Sequence, residues 1–229
     1  LKKLITTCYK NQDMDLFSTH ESEKAVMLVY EGDKNGDRIP NAEEIGITEL
    51  QGDGDFRSAE SIALLKEADI VVTNPPFSLF REYVAQLMEF DKKFIIIGHQ
   101  NAITYKDVFT LLKEDKMWLG NGFKSGNAFF SSPISNDYAD GVFDKETGLV
   151  KFRNCCWFTS LDHGKRHQPM ALMSYADNLK FSKHKEIKEN GYQEYDNYNA
   201  IEVSFTDAIP SDYDGIMGVP ISFLSKHSP

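Results

Sequence analysis

The sequence predicts an α/β protein in which a parallel, doubly wound sheet fills the first half and a strand-rich, irregular region follows. Strand and helix patterns alternate as far as Lys116, as they do in doubly wound sheets. Residues 70–72 are apolar, and so are residues 93–98 apart from Lys93, like strands that are covered on both faces. Beyond Lys116 the helical periodicity gives way to short strands and turns.

Each element of the first half follows from its residue pattern. Runs rich in β-branched residues predict strands, and apolar residues three or four apart predict helices. The predicted strands are residues 4–9, 25–30, 47–50, 70–72 and 93–98, and the predicted helices are 58–68, 79–90 and 104–116. Parallel strands joined in this way have right-handed crossovers.

The second half has a different organisation. Strands are predicted at 117–123, 127–131, 141–143 and 149–159, and the stretch 161–195 is polar and irregular. We therefore divide the chain into a core at 1–123 and a second region at 124–229, which holds the last strands of the sheet.

The loop Asn74-Pro75-Pro76-Phe77 follows the apolar run at 70–72 directly. Neither proline can donate to a sheet ladder, and each restricts the backbone of the residue before it. A stiff loop is therefore expected at the carboxyl end of a strand, where open α/β sheets bind ligands. The Asn74 amide oxygen, the Pro75 carbonyl and the Phe77 ring suit a flat group that bears an NH2. The alternative is a tight turn in which Asn74 caps the next helix.

With this loop the chain resembles the EcoRI-type adenine-specific DNA methyltransferases. The resemblance extends from Leu1-Lys2-Lys3-Leu4-Ile5 through the loop to Asn121-Gly122-Phe123 and Gly215-Ile216-Met217-Gly218-Val219-Pro220. It implies a Rossmann-like class I methyltransferase sheet and a C-terminal target-recognition region. It also implies methyl transfer from S-adenosyl-L-methionine to the N6 amine of a flipped-out adenine in double-stranded DNA. Asn74, Pro75, Pro76 and Phe77 would be catalytic, and a restriction-modification role follows by analogy only.

The resemblance also implies where the cofactor binds. Asp55 and Phe56 would hold its adenine, with Asp53 as a weaker candidate, and Asn74 would also bind the cofactor. No Gly-x-Gly follows a strand before Leu4, and the first strand ends in Tyr9-Lys10 rather than in an acid. We expect an N-terminal portion with the glycine-rich strand to precede Leu1, and the activity of this chain alone is left open.

Contacts to DNA are expected in the second half of the chain. The net charge of −10 confines any DNA-binding face to a minority of the surface. Cations close to Trp157 and Phe158 suit phosphate contacts and base stacking. The candidates are Lys124, Arg153, Lys165, Arg166 and His167. The alternative is an ordinary solvated loop. His99, Gln100 and Asn101 follow the strand at 93–98 and should line the same cleft as the Asn-Pro-Pro-Phe loop, in a role that stays open.

No metal site is predicted. Asp33-Lys34-Asn35-Gly36-Asp37 resembles the start of a calcium loop, but Arg38 stands where that loop needs glycine, and a hairpin turn is the better account. Cys155 and Cys156 are adjacent in a strand and would point to opposite faces, so they cannot share a zinc ion with His163 and His167.

Composition limits the remaining possibilities. The three cysteines have no disulfide spacing, and no apolar run could span a bilayer, so we expect a cytoplasmic protein with reduced thiols. The oligomeric state is open, a monomer being one possibility. The alternatives to DNA methylation are a methyltransferase for protein glutamine or RNA guanine, and a non-catalytic nucleic-acid-binding fragment.

Overall fold

The computed structural model describes residues 2–8, 25–36, 44–120, 127–131 and 141–225. They form a mixed α/β fold, which confirms the predicted α/β class at that level. The chain divides into two compact units, one of Leu1–Val71 with Ala85–Lys92 and the other of Val72–Val84 with Lys93–Pro229. The predicted boundary at residues 123/124 lies outside the described residues and stays a prediction.

The first unit contains an antiparallel sheet of three strands, with the second strand in the middle. The strands are β1 (Leu4–Thr7), β2 (Val26–Tyr30) and β3 (Ile45–Glu49). Leu4 pairs with Tyr30 and Tyr30 with Ile45, and both pairings are antiparallel. The antiparallel pairing of β2 with β3 agrees with the hairpin turn expected at residues 33–37, whereas the parallel arrangement predicted for the sheet is wrong for these strands. Strand composition does not determine direction, which depends on pairing between distant segments.

The helix α1 (Ala59–Glu67) follows in the same unit. The Ser58 hydroxyl caps it by accepting a hydrogen bond from the Ser61 N–H at 3.1 Å. Serine is a preferred cap because its short side chain satisfies an amide that has no partner within the helix. The predicted helix at 58–68 is confirmed with slightly shorter bounds.

A four-stranded sheet carries the Asn-Pro-Pro-Phe loop. Its strands are β4 (Ile70–Thr73), β5 (Lys93–His99), β6 (Trp118–Leu119) and β10 (Cys155–Thr159), in the order β4-β5-β10-β6. β10 is antiparallel to both β5 and β6. The sheet is therefore not purely parallel, in contrast to the prediction for the core. The accompanying helices are α2 (Phe80–Glu89) and α3 (Lys106–Lys113).

Strand β4 lies at one edge of this sheet within the described part of the chain. Ile70 is 50% exposed and Val72 is 67% exposed. The prediction that this strand is covered on both faces is therefore wrong for the described structure. In strand β5 burial alternates, with Phe94 and Ile96 fully buried and Ile95 and Ile97 partly buried, so this strand is better covered than β4.

The core of the second unit is built around aromatic rings. Phe80 and Phe158 pack with their ring centroids 5.0 Å apart, and both are at most 2% exposed. Burying two such rings contributes several kcal/mol of the favourable transfer free energy of folding. Because Phe80 begins α2, this packing anchors the start of that helix and the loop before it.

The rest of the second unit contains two smaller sheets. β7 (Ala128–Ser131), β9 (Leu149–Phe152) and β8 (Phe143–Asp144) pair antiparallel in that order. β11 (Ala200–Glu202) and β12 (Ile216–Gly218) pair parallel. The second unit also contains a hydrophobic cluster of buried residues, formed by Ile187, Tyr192, Ile201, Val203, Ala208 and Ile209.

Two helices occupy the stretch that was predicted to be irregular. They are α4 (Tyr175–Phe181) and α5 (Lys185–Asn190). Ser174 caps α4 by accepting from the Asp177 N–H at 3.1 Å, so Ser174-Tyr175-Ala176-Asp177 was the sequence signal for this helix. Among the described residues, no helix combines the length and the apolar character that crossing a membrane requires.

Candidate active site

The Asn-Pro-Pro-Phe loop forms a short turn between β4 and α2. Pro76 is the residue before a single 3-10 turn, Phe77–Leu79, and its carbonyl accepts from the Leu79 N–H at 2.9 Å. No side chain caps that turn. The alternative in which Asn74 caps the following helix is therefore wrong.

The Asn74 side chain is free to meet a ligand. Asn74 is exposed, whereas Pro75 beside it is buried. Within the described residues the Asn74 amide makes no hydrogen bond. The buried proline thus fixes the backbone of a residue whose polar group has no partner in the part of the chain that the structure describes.

A cavity of about 360 Å³ adjoins this loop. Its volume lies near the lower end of the range for small-molecule sites. Two segments supply its walls, the turn after β4 and the turn after β5. The lining residues are Phe77, Ser78, Phe80, His99, Asn101, Ala102 and Tyr105. Phe77 is 37% exposed, so its ring presents a surface on which a planar group could stack.

The turn after β5 contributes more to the cavity than the sequence showed. Of the three residues expected in the cleft, His99 and Asn101 line the cavity, whereas Gln100 is not among its lining residues. The rings of His99 and Phe77 meet edge to face, with centroids 6.2 Å apart and an interplanar angle of 77°. Tyr105, 37% exposed, was missed, because no motif marks it in the sequence.

The candidate cofactor residues lie in the first unit and are joined by local hydrogen bonds. The Asp55 carboxylate accepts from Arg57 Nε at 2.9 Å and from Arg57 Nη2 at 2.7 Å. This guanidinium lowers the pKa of Asp55. Asp53 Oδ1 accepts from the Asp55 N–H at 2.9 Å. The same guanidinium lies 5.4 Å from the centroid of the half-buried Phe56 ring. An ionised carboxylate and an aromatic ring have the chemistry that an adenine needs, and cofactor binding by these residues stays a prediction.

The candidate DNA-contacting residues are largely engaged within the protein. The Arg166 guanidinium lies 3.6 Å above the Trp118 ring and pairs with Asp115, and its side chain is only 10% exposed. His167 pairs with Asp162 at 2.7 Å. Lys165 donates to the Ser225 carbonyl at 3.0 Å.

The other expected contacts have mixed outcomes. Arg153 donates to the Gly141 carbonyl at 2.5 Å, and Lys124 lies outside the described residues. Phe158 is fully buried, so the expectation that it stacks on a base is wrong. A DNA-contacting role for the five cationic candidates stays a prediction. Sequence reasoning missed four exposed phenylalanines on β7, β8 and β9, namely Phe129, Phe130, Phe143 and Phe152.

Two carboxylates bond to the backbone of the calcium-like stretch at residues 33–37. Asp33 Oδ1 accepts from the Gly36 N–H at 2.6 Å, and Glu44 Oε1 accepts from the Lys34 N–H at 2.7 Å. The part of the chain that the structure describes contains no cluster of three or more His, Cys, Asp or Glu side chains suited to a metal ion.

Comparison with known proteins identifies the family. The family model described as adenine-specific methyltransferase EcoRI matches residues 1–229. The chain belongs to the EcoRI adenine-specific methyltransferase family. This confirms the family and the class of enzyme that the Asn-Pro-Pro-Phe loop predicted, and it does not favour glutamine or RNA guanine as the acceptor.

Relatives in this family are named type II methyltransferases. The chain is 45% identical over 233 residues to M.EcoRI of Escherichia coli, covering 100% of this chain and 68% of the relative. It is 38% identical over 199 residues to M.MpnI of Mycoplasma pneumoniae, covering 82% and 58%. It is 34% identical over 223 residues to M.MgeORF184P of Mycoplasma genitalium, covering 93% and 62%. The chain thus spans about three fifths to two thirds of their lengths. No solved structure matches this member of the family.

Proposed function

We propose that this chain carries the catalytic loop of a site-specific methyltransferase that modifies the N6 amine of adenine in double-stranded DNA. The observation that carries the proposal is the exposed Asn74 amide, which makes no hydrogen bond within the described residues and lies three residues before Phe77, the first residue of the loop that lines the cavity. Membership of the adenine-specific family supports adenine as the acceptor.

The loop acts on a poor nucleophile. The lone pair of an adenine amine is delocalised into the ring, so it must be localised on nitrogen before it can attack. The Asn74 oxygen and the Pro75 carbonyl would each accept one amine hydrogen and favour a tetrahedral nitrogen. Phe77 would stack on the ring and hold the amine in line with the methyl group. The proton would leave after positive charge has built up on the nitrogen, so the loop needs no strong general base.

The methyl donor in this family is expected to be S-adenosylmethionine, whose sulfonium makes a methyl group electrophilic. Asp55 and Phe56 would hold its adenine, with Asp53 fixing the Asp55 backbone through their hydrogen bond. The fold proposed for this function is the Rossmann-like class I methyltransferase sheet, of which β4 and β5 would be the strands that bear the active site.

The acceptor base must leave the duplex stack to reach the cavity. Extrusion costs a few kcal/mol, which contacts between the protein and DNA have to offset. We place those contacts in the region from residue 124 onward, as the target-recognition part of the chain. We propose a cytoplasmic location and a restriction-modification role, both of which suit a family of type II methyltransferases.

The test is methylation by the chain itself in a host whose DNA lacks N6-methyladenine. Sequencing that detects modified bases should find N6-methyladenine at one recurrent motif. Asn74→Ala should abolish the modification and leave the melting temperature nearly unchanged, because the side chain is exposed. Asn197→Ala replaces another exposed asparagine and should retain full modification. Full activity of Asn74→Ala would contradict the proposal.

A further inference from the structure

His99 lines the cavity beside Phe77, yet the mechanism proposed above gives it no role. It is the last residue of β5, and the 3-10 turn Gln100–Thr104 follows it at once. The ring therefore stands at the carboxyl end of a strand, which is where ligands bind in open α/β sheets. Its position is also constrained by the edge-to-face contact with Phe77.

The hydrogen bonding of the ring determines which nitrogen carries the proton. His99 Nδ1 accepts from the backbone N–H of Asn101 at 3.1 Å and so caps the turn. A neutral imidazole has one acceptor nitrogen and one donor nitrogen. Because Nδ1 is the acceptor, the proton is on Nε2. Among the described residues Nε2 makes no hydrogen bond, so this donor is available to a ligand.

We propose that His99 is a positioning residue that donates a hydrogen bond from Nε2 to a ring nitrogen of the target base. This proposal rests on the proposed function. Adenine has an acceptor nitrogen on each side of its amine, N1 on one side and N7 on the other. The Asn74 and Pro75 oxygens would take the amine hydrogens while His99 donates to one of those nitrogens. If N1 is that acceptor, a base with a protonated nitrogen beside an exocyclic oxygen would present a donor to the His99 donor and be rejected.

Two substitutions distinguish the hydrogen-bond donor at His99 Nε2 from the capping acceptor at His99 Nδ1. In His99→Asn the amide oxygen can take the place of Nδ1 and keep the cap, but no group reaches the position of Nε2. In His99→Gln the longer amide can take the place of Nε2 and keep a donor, but the cap is lost. The Asn variant should therefore fold normally and lose the contact to the base, whereas the Gln variant should retain that contact with a less stable turn.

The first measurement needs no methylation. Long-range proton–nitrogen NMR of the imidazole rings should show His99 protonated on Nε2. Millimolar adenosine should shift the His99 Nε2 signal, and either 1-deazaadenosine or 7-deazaadenosine should fail to do so. His184, which does not line the cavity, provides the control ring. A proton on Nδ1, or equal shifts with all three nucleosides, would overturn the proposal even if the chain methylates DNA.

The second measurement uses single-turnover methylation of duplexes that carry adenine, 1-deazaadenine or 7-deazaadenine at the target position. For the unaltered chain and for His99→Gln, one analogue should react about tenfold more slowly than adenine, as expected for one lost hydrogen bond. For His99→Asn the rate with that analogue should agree with the rate with adenine within about twofold. If His99→Asn discriminates as strongly as the unaltered chain, His99 has no such role. A chain that shifts the NMR signal but methylates nothing would contradict the proposed function alone.

Discussion

The ring of Phe80 lies so close to Gly98 that it occupies the space of a side chain at that position. A Cβ built on Gly98 would lie 2.5 Å from Phe80 Cε2 and 2.8 Å from Phe158 Cε2. Phe80 also lines the cavity, so the absence of a side chain at residue 98 determines where one wall of the candidate active site stands.

Gly98→Ala should therefore lower both stability and activity. Displacing two buried rings in a packed core typically costs about 1–3 kcal/mol in the free energy of unfolding. Urea denaturation measures this loss, and methylation kinetics should show weaker substrate use. Gly164→Ala is the matched control, because no atom lies within 4 Å of its built Cβ. An alanine at residue 98 that left the unfolding midpoint unchanged would contradict this packing.

Phe77→Ala should weaken binding of the extruded base. Stacking of a base on an aromatic ring contributes about 1–3 kcal/mol, so methylation at low DNA concentration should fall by about tenfold or more. Phe77→Tyr keeps the ring and should remain active. Because Phe77 is 37% exposed, the alanine variant should melt close to the unaltered chain. Equal activity of the Ala and Tyr variants would show that the ring does not stack on the base.

Asp207→Asn tests a charged cluster in the second unit. Lys183 and His184 both bond to this carboxylate, and they lower the pKa of Asp207. Because the pKa of Asp207 is lower in the folded state than in the unfolded state, its carboxylate stabilises the protein at pH values above the ordinary aspartate pKa of about 3.9. That contribution is lost as pH falls from this value through the lowered pKa.

At neutral pH the Asn variant should therefore melt earlier. The decrease should be at most about 2 °C, because solvent screens a side chain that is 40% exposed. The difference in melting temperature between the two proteins should become smaller below about pH 4, where the stabilising contribution of the Asp207 carboxylate starts to be lost. Thermal melts at a series of pH values measure it. A gap that widens under acid conditions would refute the assigned sign.

Arg166→Ala should destabilise the fold more than it weakens binding to DNA. It removes a cation stacked on Trp118 and the ion pair with Asp115. Loss of a largely buried stacked guanidinium should cost about 1–3 kcal/mol in the free energy of unfolding. Lys165→Ala is the control, since its side chain is exposed and should leave stability almost unchanged. Denaturation and DNA-binding assays on both variants separate the two effects.

Local patterns predicted most elements of the fold. The strand at 93–98 was found close to its true bounds because it is a continuous run of apolar, mostly β-branched residues. The helix at 58–68 was found because apolar residues recur at helical spacing and Ser58 caps its start. The antiparallel direction of β1–β3 and the exposure of Val72 were not predictable in this way. Both depend on which distant segment lies alongside a strand, and an apolar run does not specify which segment that is.

The candidate site likewise has features that could be predicted from the sequence and features that could not. The loop from Asn74 to Phe77 was identifiable because two prolines and an amide have a distinctive chemistry. The engagement of Arg166 by Trp118 was not, because the two residues are distant in sequence and a run of cations reads as exposed. For the same reason nothing in the sequence placed Tyr105 beside Phe77 in the cavity wall.

The stacking of the Arg166 guanidinium also affects how strongly DNA binding by this region would depend on salt concentration. Each cation that neutralises a phosphate steepens the dependence of log affinity on log salt concentration by about 0.9. A side chain held between an indole and a carboxylate displaces no counterion from DNA. A count of the cationic residues in the sequence therefore overestimates how many phosphates this part of the surface could neutralise in a duplex.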